Sequence, residues 1–320
     1  ADLMDAAREL QDYSESYMRS RIAEMPTGSW EFSDVLDGDG FDSGPLEIHC
    51  RLSIDDQTIT ADFTETCDQT DGPVNVPRAV TMSAVLYVLR CLAPKSLPSN
   101  GGYMRCADVV TRTGSLVDAR SPAPVAIGNV ETSQRITDVV IGAFAQAMPN
   151  VLPAASCGSM NNVTIGGADT RGAEPRGFAY YETLAGGAGA GPGYAGASAV
   201  HTHMTNTLNT PVEALEHAYP FRVSRYAIRR DSGGAGQFRG GDGVIRAYDF
   251  DAPATVTLMT ERREHQPWAA EGGAGGVVGA DRLVRDGAEA TLPAKGSVEV
   301  QPGDRIVIET PGGGGWGAGD

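Results

Sequence analysis

Lysine is almost absent from this sequence. Only Lys95 and Lys295 occur, so 23 of the 25 basic residues are arginine, a bias that a GC-rich genome and a salty cytoplasm would each produce. Positive charge as a whole is in deficit, with 41 acidic residues against 25 basic ones and a formal net charge of −16. That balance argues against a nucleic-acid binder, which needs a basic face for the phosphate backbone. No apolar run approaches the roughly 20 residues that a membrane-spanning helix needs, so no membrane role is expected. Cysteine is sparse and unpaired: Cys50, Cys67, Cys91, Cys106 and Cys157 are odd in number, widely spaced and without a CxxC pair. Neither a disulfide framework nor a structural zinc site is suggested, and reduced thiols in a cytoplasmic protein are expected. A secretory signal is not expected either, because Ala1–Glu9 is polar and acidic where a basic stretch would stand. The chain opens without Met and enters a helical pattern at once, as a processed or truncated piece of something longer would.

What is present is a globular composition, 41% hydrophobic and 21% charged over 320 residues. Glycine is lopsided: 10 of the 41 lie in residues 1–157 and 31 in 158–320, so the second half must be dense in turns and close backbone approaches. Helical spacing of Leu3, Ala7, Leu10, Tyr13, Tyr17, Ile22 and Met25 predicts an amphipathic helix over 2–25, stopped at Pro26. Residues 29–36 alternate like a strand. The acidic run Asp37–Gly44 reads as a solvated turn, since a calcium loop would need further ligands and a closing Glu. Strands at 46–54 and 58–64 form a hairpin. Pro77–Leu92 is apolar nearly all round and predicts a buried helix, and 131–148 predicts another. Beyond Gly158 short strands (161–165, 178–184, 221–230, 243–250, 255–260, 282–285, 304–309) alternate with glycine-rich turns. The expected fold is α+β: a helical and hairpin N-terminal half, 1–157, packed on a glycine-rich, mainly antiparallel β half, 158–320, as one interlocked unit.

Four polar segments are placed where a purely structural protein has little use for them. Gly128–Gln134 (GNVETSQ) is a turn entering a helix, where free N–H groups attract anions and Thr132 or Ser133 adds a hydroxyl; helix capping by Asn129 or Thr132 is the plainer explanation. Ser156–Asn162 (SCGSMNN) offers uncharged donors suited to a carbonyl or oxyanion. Cys157 within it is more simply an inert thiol than a nucleophile, for no histidine or helix terminus adjoins it to lower its pKa. Tyr180–Thr183 (YYET) runs into Gly186–Gly191; a strand would point Tyr181 and Thr183 one way, Tyr180 and Glu182 the other. No GK[ST] follows, so a Walker-type phosphate loop is rejected. His201–Thr207 (HTHMTNT) would, on a strand, put His201 and His203 on one face, but a metal site would need a third ligand from Glu182, Glu213 or Glu216, and hydrogen-bonded histidines are the simpler reading.

Taken together the sequence resembles the hydantoinase B/oxoprolinase family, which includes caprolactamase and acetone-type carboxylase subunits. The resemblance rests on GPVNVPRAVT (72–81), GNVETSQR (128–135), SCGSMNN (156–162), YYET with its glycines (180–191), HTHMTNTLNTPVE (201–213), DSGGAGQFRGGDGV (231–244) and ETPGGGGWG (309–317), in the family's order across essentially the whole chain. It matches the C-terminal three-fifths of a full-length B component. The HxPD and HHAD strings of the family's upstream metal-binding part do not occur, so no metal ligand is carried over; a divalent metal is expected on that upstream part.

The resemblance implies a B-type subunit, or its C-terminal fragment, of an ATP-dependent cyclic amide hydrolase acting on hydantoin, N-methylhydantoin, oxoproline or a lactam. It implies an A-type partner that holds ATP with magnesium and phosphorylates the amide oxygen, a hetero-oligomeric assembly and a cytoplasmic location. His201, His203, Glu182 and Glu131 are the expected catalytic residues, with a histidine as proton shuttle and Glu182 orienting a histidine or water. Asn129, Ser133, Gln134, Ser156, Asn161, Asn162, Tyr181 and Asn206 are expected to bind substrate, Asn161 and Asn162 donating to the oxyanion. The alternatives are a subunit of an acetone- or acetophenone-type carboxylase and a non-catalytic scaffold whose glycine loops and apolar helices form subunit contacts.

Overall fold

The chain first coils as α1 (Leu3–Ile22), where Ser14, Met18 and Ile22 recur every fourth residue and bury one stripe. The apolar face predicted along the whole helix is not buried along its length. Leu3, Leu10 and Tyr13 are 82%, 47% and 56% exposed, and the helix stops at Ile22, short of Met25. It meets the turn Tyr103–Cys106 and a neighbouring strand instead of being covered along its length. The computed structural model describes residues 2–41 and 43–319. It separates them into two units, Ala1–Val35 with Leu46–Leu152 and Leu36–Pro45 with Pro153–Asp320.

In the first unit β1 (Gly28–Leu36), β2 (Leu46–Asp55), β3 (Thr58–Asp62) and, after α2 (Arg78–Leu92), β4 (Ala107–Val110) form one sheet in sequence order. Ile48, Cys50, Leu52 and Ile54 alternate inward along β2, and Ile59 and Ala61 continue that face on β3. The predicted hairpin is closed by Asp56-Gln57, with Asp56 at φ 42°. β4 was not legible; it pairs parallel to β3. α2 buries only the face of Thr81, Ala84, Val85, Val88 and Leu89. The all-round buried helix is α3 (Ser133–Ala147), which packs against α2 and β2 with every residue from Ser133 to Phe144 buried.

The second unit is a β-sandwich. Its strands are β5 (Asn162–Asp169), β6 (Arg176–Thr183), β7 (Phe221–Arg229, preceded by α4, Val212–Ala218), β8 (Gly243–Phe250), β9 (Ala254–Met259), β10 (Ala280–Arg285), β11 (Ala288–Thr291), β12 (Lys295–Val300) and β13 (Arg305–Glu309). One sheet has the order β11-β10-β13-β8-β7, the other β12-β9-β5-β6, and all the strand pairs described in both are antiparallel. Phe221, Tyr248, Ile306 and Ile308 of the first meet Val163, Ile165, Val256 and Leu258 of the second in one core. The architecture is α+β, as expected, with helices mostly in the N-terminal part and three mainly antiparallel sheets among the described residues. No described helix is long and apolar enough to cross a membrane.

Beside the sandwich the glycine-rich segments are not loose turns. They run side by side outside the sheets and bond main chain to main chain: Gly187 N–H to Pro311 O, Gly241 N–H to Ala188 O, Gly313 N–H to Gly241 O, Gly234 N–H to Gly313 O and Gly315 N–H to Ala274 O, all at 2.8–3.1 Å. The spacing leaves no room for a side chain. A Cβ on Gly313 would stand 2.0 Å from Ala188 O, and one on Gly187 2.0 Å from Gly241 O. Gly313→Ala should therefore lower unfolding stability by on the order of 3 kcal/mol, because the obstacle is main chain and cannot rotate away. Gly177→Ala, which meets nothing within 4 Å, should change it by under about 0.5 kcal/mol. Urea midpoints of the two variants measure the contrast; equal midpoints would refute it.

Candidate functional site

Three of the four polar segments meet at one end of the β5–β6 pair. Asn162 opens β5 opposite Thr183, the last residue of β6, and Leu184 N–H reaches Met160 O and Asn161 O. Asn161 sits in the left-handed region at φ 47°. Its Oδ1 accepts from Arg263 Nη1 at 2.8 Å and its Nδ2 donates to Ser159 O at 3.3 Å. Asn162 Nδ2 donates to Met259 O at 2.9 Å, and Tyr181 OH donates to Asn162 Oδ1 at 2.6 Å. Tyr180 and Glu182 are buried while Tyr181 is half exposed, and Thr183, expected on the Tyr181 face, is buried as well. Ser156 accepts Gly189 N–H at 3.2 Å, which ties this segment into the glycine assembly.

Glu182 is 6% exposed and its carboxylate is gripped from three sides. Arg246 donates through Nε and Nη2 at 3.2 and 3.3 Å, Tyr248 OH bonds Oε1, and Asn209 Nδ2 donates to Oε2 at 3.1 Å. Its partners among the described side chains are thus an arginine, a tyrosine and an asparagine. Asn209 belongs to the histidine segment, and Tyr226 OH donates to its Oδ1 at 2.7 Å. Thr207 and Thr183 bond hydroxyl to hydroxyl. At the other end of the loop Val200 N–H bonds Gly186 O, and Ala199 N–H bonds Asp242 O, both at 2.9 Å.

Between these anchors His201–Asn206 is loop, so the strand that would have aligned His201 and His203 is not formed. His203 adopts φ 58°, which breaks the two-residue alternation of an extended chain. His201 is half buried, and that burial pushes its pKa below the ordinary 6.5. Asn206 is exposed.

The fourth segment lies in the first unit. Gly128–Thr132 is a π-helical turn leading directly into α3. Glu131, Ser133 and Gln134 are fully buried while Asn129 is exposed. No side-chain cap forms; Thr132 donates its hydroxyl to Val74 O, and Ser133 donates to Asn129 O at 2.7 Å. Ser133 N–H bonds Gly128 O, so it is not one of the free N–H groups expected of a helix start. Cys157 is buried.

A further polar cluster is buried where the sequence predicts a solvated turn. Asp37, from the run taken as a solvated turn, is buried, as is Asp39. Asp37 Oδ2 accepts the Arg263 N–H at 2.6 Å, and its Oδ1 accepts the His265 N–H at 3.1 Å and lies 2.9 Å from His265 Nδ1. Its own N–H donates to Glu261, which pairs with buried Lys295. A cavity of about 210 Å³ opens beside Asp37, Ser43, Glu264 and Lys295. The signal available in advance was the lysine itself, one of only two in the chain. Among the described residues no three His, Cys, Asp or Glu side chains are grouped to hold a metal ion.

The sequence profile described as hydantoinase B/oxoprolinase matches residues 1–319. An uncharacterised protein of Methanocaldococcus jannaschii is 37% identical over 317 residues, covering 99% of this chain and 54% of that protein. The 5-oxoprolinase 1 of Arabidopsis thaliana is 42% identical over 287 residues, 89% of this chain and 22% of the plant protein. The crystal structure of an ATP-dependent caprolactamase from Pseudomonas jessenii superposes with a TM-score of 0.87 at 27% identity, over 99% of this chain and 56% of that one. The chain therefore spans about half or less of the length of the relatives it matches.

The burial of His201 generates a pH expectation. Because its folded pKa is depressed, the folded state holds the neutral ring, and stability falls as pH drops from 6.5 toward the lower folded value. A titration of the imidazole signals by NMR should place His201 below 6.5; a midpoint at or above that value would contradict its burial.

Proposed function

The chain belongs to the hydantoinase B/oxoprolinase family, and we propose that it forms part of the B-type component of an ATP-dependent cyclic amide hydrolase. The observation that carries this reading is the clamping of the histidine segment by Thr207 and Asn209 onto the end of β6, beside Glu182 and across the strand pair from Asn162. An A-type partner, holding ATP with magnesium, would supply the phosphoryl group to the amide oxygen, and a divalent metal would be held by the upstream part of the B component.

Phosphorylation turns a poor electrophile into a good one. Water adds to the carbon, the C–N bond breaks as the ring nitrogen takes up a proton, and the remaining acyl phosphate is hydrolysed to carboxylate and inorganic phosphate. This sequence needs a group that takes the proton from water and returns one to nitrogen, and an imidazole that titrates near neutrality suits it. His201 and His203 are assigned that work. Asn161 and Asn162 are assigned to the oxyanion of the tetrahedral adduct, for which their amide N–H groups would exchange their present partners, Ser159 O and Met259 O, and Tyr181, whose hydroxyl donates to Asn162 Oδ1, would orient that amide. Glu182 acts on the histidines through Asn209: it holds the loop in one place, so that the imidazoles need not be ordered at the moment of reaction. Glu131, Ser133, Gln134 and Asn129 are assigned to the reaction on the sequence resemblance alone.

The test is made in the assembled complex of full-length B component and A-type partner. ADP release should depend on one cyclic amide among hydantoin, N-methylhydantoin, 5-oxoproline and a larger lactam, with stoichiometric ring opening. Absence of amide-dependent ADP release across the panel would remove the reading. Within an active complex, His203→Ala should leave assembly intact and lower turnover by about two orders of magnitude or more; undiminished turnover would take His203 out of the mechanism.

A further inference from the structure

The outermost strands of a sheet leave a row of N–H and C=O groups unpaired, and proteins cover or charge such edges. β7 is an outermost strand. Its first part is covered: Glu216 of α4 accepts the Val223 N–H at 3.0 Å, and a bulge follows between Val223 and Arg225. Beyond the bulge the edge is open. Val244 turns its N–H and C=O toward Thr310. Ile228, which stands opposite Val244, and Tyr226, two residues earlier, therefore turn theirs away from β8. Among the described residues nothing else bonds them. The side chains of Tyr226 and Ile228 lie on the face of Val244 and Tyr248, which is the core face, yet both are half exposed. A cavity of about 210 Å³ adjoins this edge, lined by Ala199, Tyr226, Ala227, Ile228 and Val244. Successive strand residues point to opposite faces, so a space lined by 226, 227 and 228 together runs along the main chain of β7.

Charge is the second observation. Residues 221–230 hold Arg222, Arg225, Arg229 and Arg230 and no acidic residue, in a chain of net charge −16. Arg222 and Arg229 are matched by Asp251 and Glu309 at 3.1 and 3.2 Å. Arg225 and Arg230 are exposed and form no ion pair among the described residues. We infer that the edge from Arg225 to Ile228 takes up an extended acidic segment of a partner protein as an added strand. Its main chain bonds to Tyr226 and Ile228, an apolar side chain enters the cavity, and its carboxylates meet the unmatched arginines. Alternation makes these demands compatible: an added strand shows apolar residues to the core face beside Tyr226 and Ile228, and acidic ones to the opposite face, where Arg225 lies. Arginine on an edge also deters unwanted pairing. A charge pointing into the sandwich would bar a strand outright, but positions 226 and 228 carry apolar groups there. The arginines stand on the outward side, where they select a partner by the sign of its charge. The inference does not rest on the hydrolase reading and would survive its failure.

The test uses the intact 320-residue chain, isotope-labelled and observed by NMR. The probe is a capped seven-residue peptide in which glutamate and valine alternate. Its controls are the lysine–valine counterpart and the acidic peptide methylated on its main-chain nitrogens, which cannot donate. The acidic peptide should shift the Tyr226 and Ile228 amide signals saturably and slow their hydrogen exchange. Both controls should bind about tenfold more weakly or worse, one having lost the opposite charges and the other the main-chain bonds. Ile228→Lys points a charge inward and should weaken the acidic peptide by about tenfold or more. Arg225→Glu, at an exposed position, should keep the parent's unfolding midpoint, weaken the acidic peptide by about threefold or more and strengthen the lysine peptide. Any of four results would overturn the inference: no saturable shift at Tyr226 and Ile228; either control bound as tightly as the acidic peptide; unchanged peptide preference in Arg225→Glu; or concentration-dependent protection of these amides without peptide, which would assign the edge to a second copy of the chain.

Discussion

Main chain touching main chain is the constraint on which the second unit depends. Segments around residues 187, 234, 241, 274 and 313 lie so close that an added methyl at Gly313 or Gly187 would fall 2.0 Å from a carbonyl oxygen. Their N–H and C=O groups are satisfied by one another, which buries backbone without a sheet and answers the accounting that any buried backbone must meet. The glycines are therefore there for absence of side chain more than for freedom of φ, and at Gly313 no unusual φ is involved. The functional consequence is rigidity. Ser156, Cys157 and Gly186 are held in this assembly, and Gly186 O is one of the anchors of the histidine loop.

A second constraint is the use of arginine as an internal tie. Arg246 with Glu182 and Arg263 with Asp281 are buried pairs, each extended by further hydrogen bonds, Arg246 by Tyr248 and Arg263 by Asn161. Planar guanidinium groups suit such pairs better than ammonium, since one side chain binds a carboxylate through two nitrogens and still reaches a third partner. A chain that replaces nearly all its lysine with arginine has this device available in quantity. The exception, Lys295 against Glu261, makes a single-point contact at the edge of a cavity.

These ties give the site its character. Glu182 lies at the centre of a network that runs from Arg246 and Tyr248 in one sheet through Asn209 to the loop bearing His201 and His203. The loop is pinned at Val200 and again at Thr207 and Asn209, with the imidazoles between the pins. The pins bond to residues distant in sequence, Val200 to Gly186, Thr207 to Thr183 and Asn209 to Glu182.

Much was legible in the chain by itself. Alternation at 29–36, the hairpin pattern after it and the short runs between glycine-rich turns placed β1 to β3, β5 to β10 and β13, and the apolar stretch after Ser133 placed α3, because burial on one or all faces leaves a pattern that single residues carry. The polar segments at 156–162, 180–183 and 201–207 stood out for the same reason, being uncharged or polar where a core was expected. The sequence did not disclose β4, β11 or β12, whose short runs have no pattern strong enough to separate them from turns. Nor did it disclose that Asp37 is buried: an Asp/Gly run looks alike whether solvated or folded over backbone N–H groups some 226 residues away in sequence. Local chemistry fixed which elements form. Only the tertiary structure decided that Glu182 answers to Arg246, that the histidines sit in a pinned loop and not on a strand, and that the glycines pack backbone on backbone, since each of these is a contact between residues far apart in the chain and depends on distance, which a residue's identity does not encode.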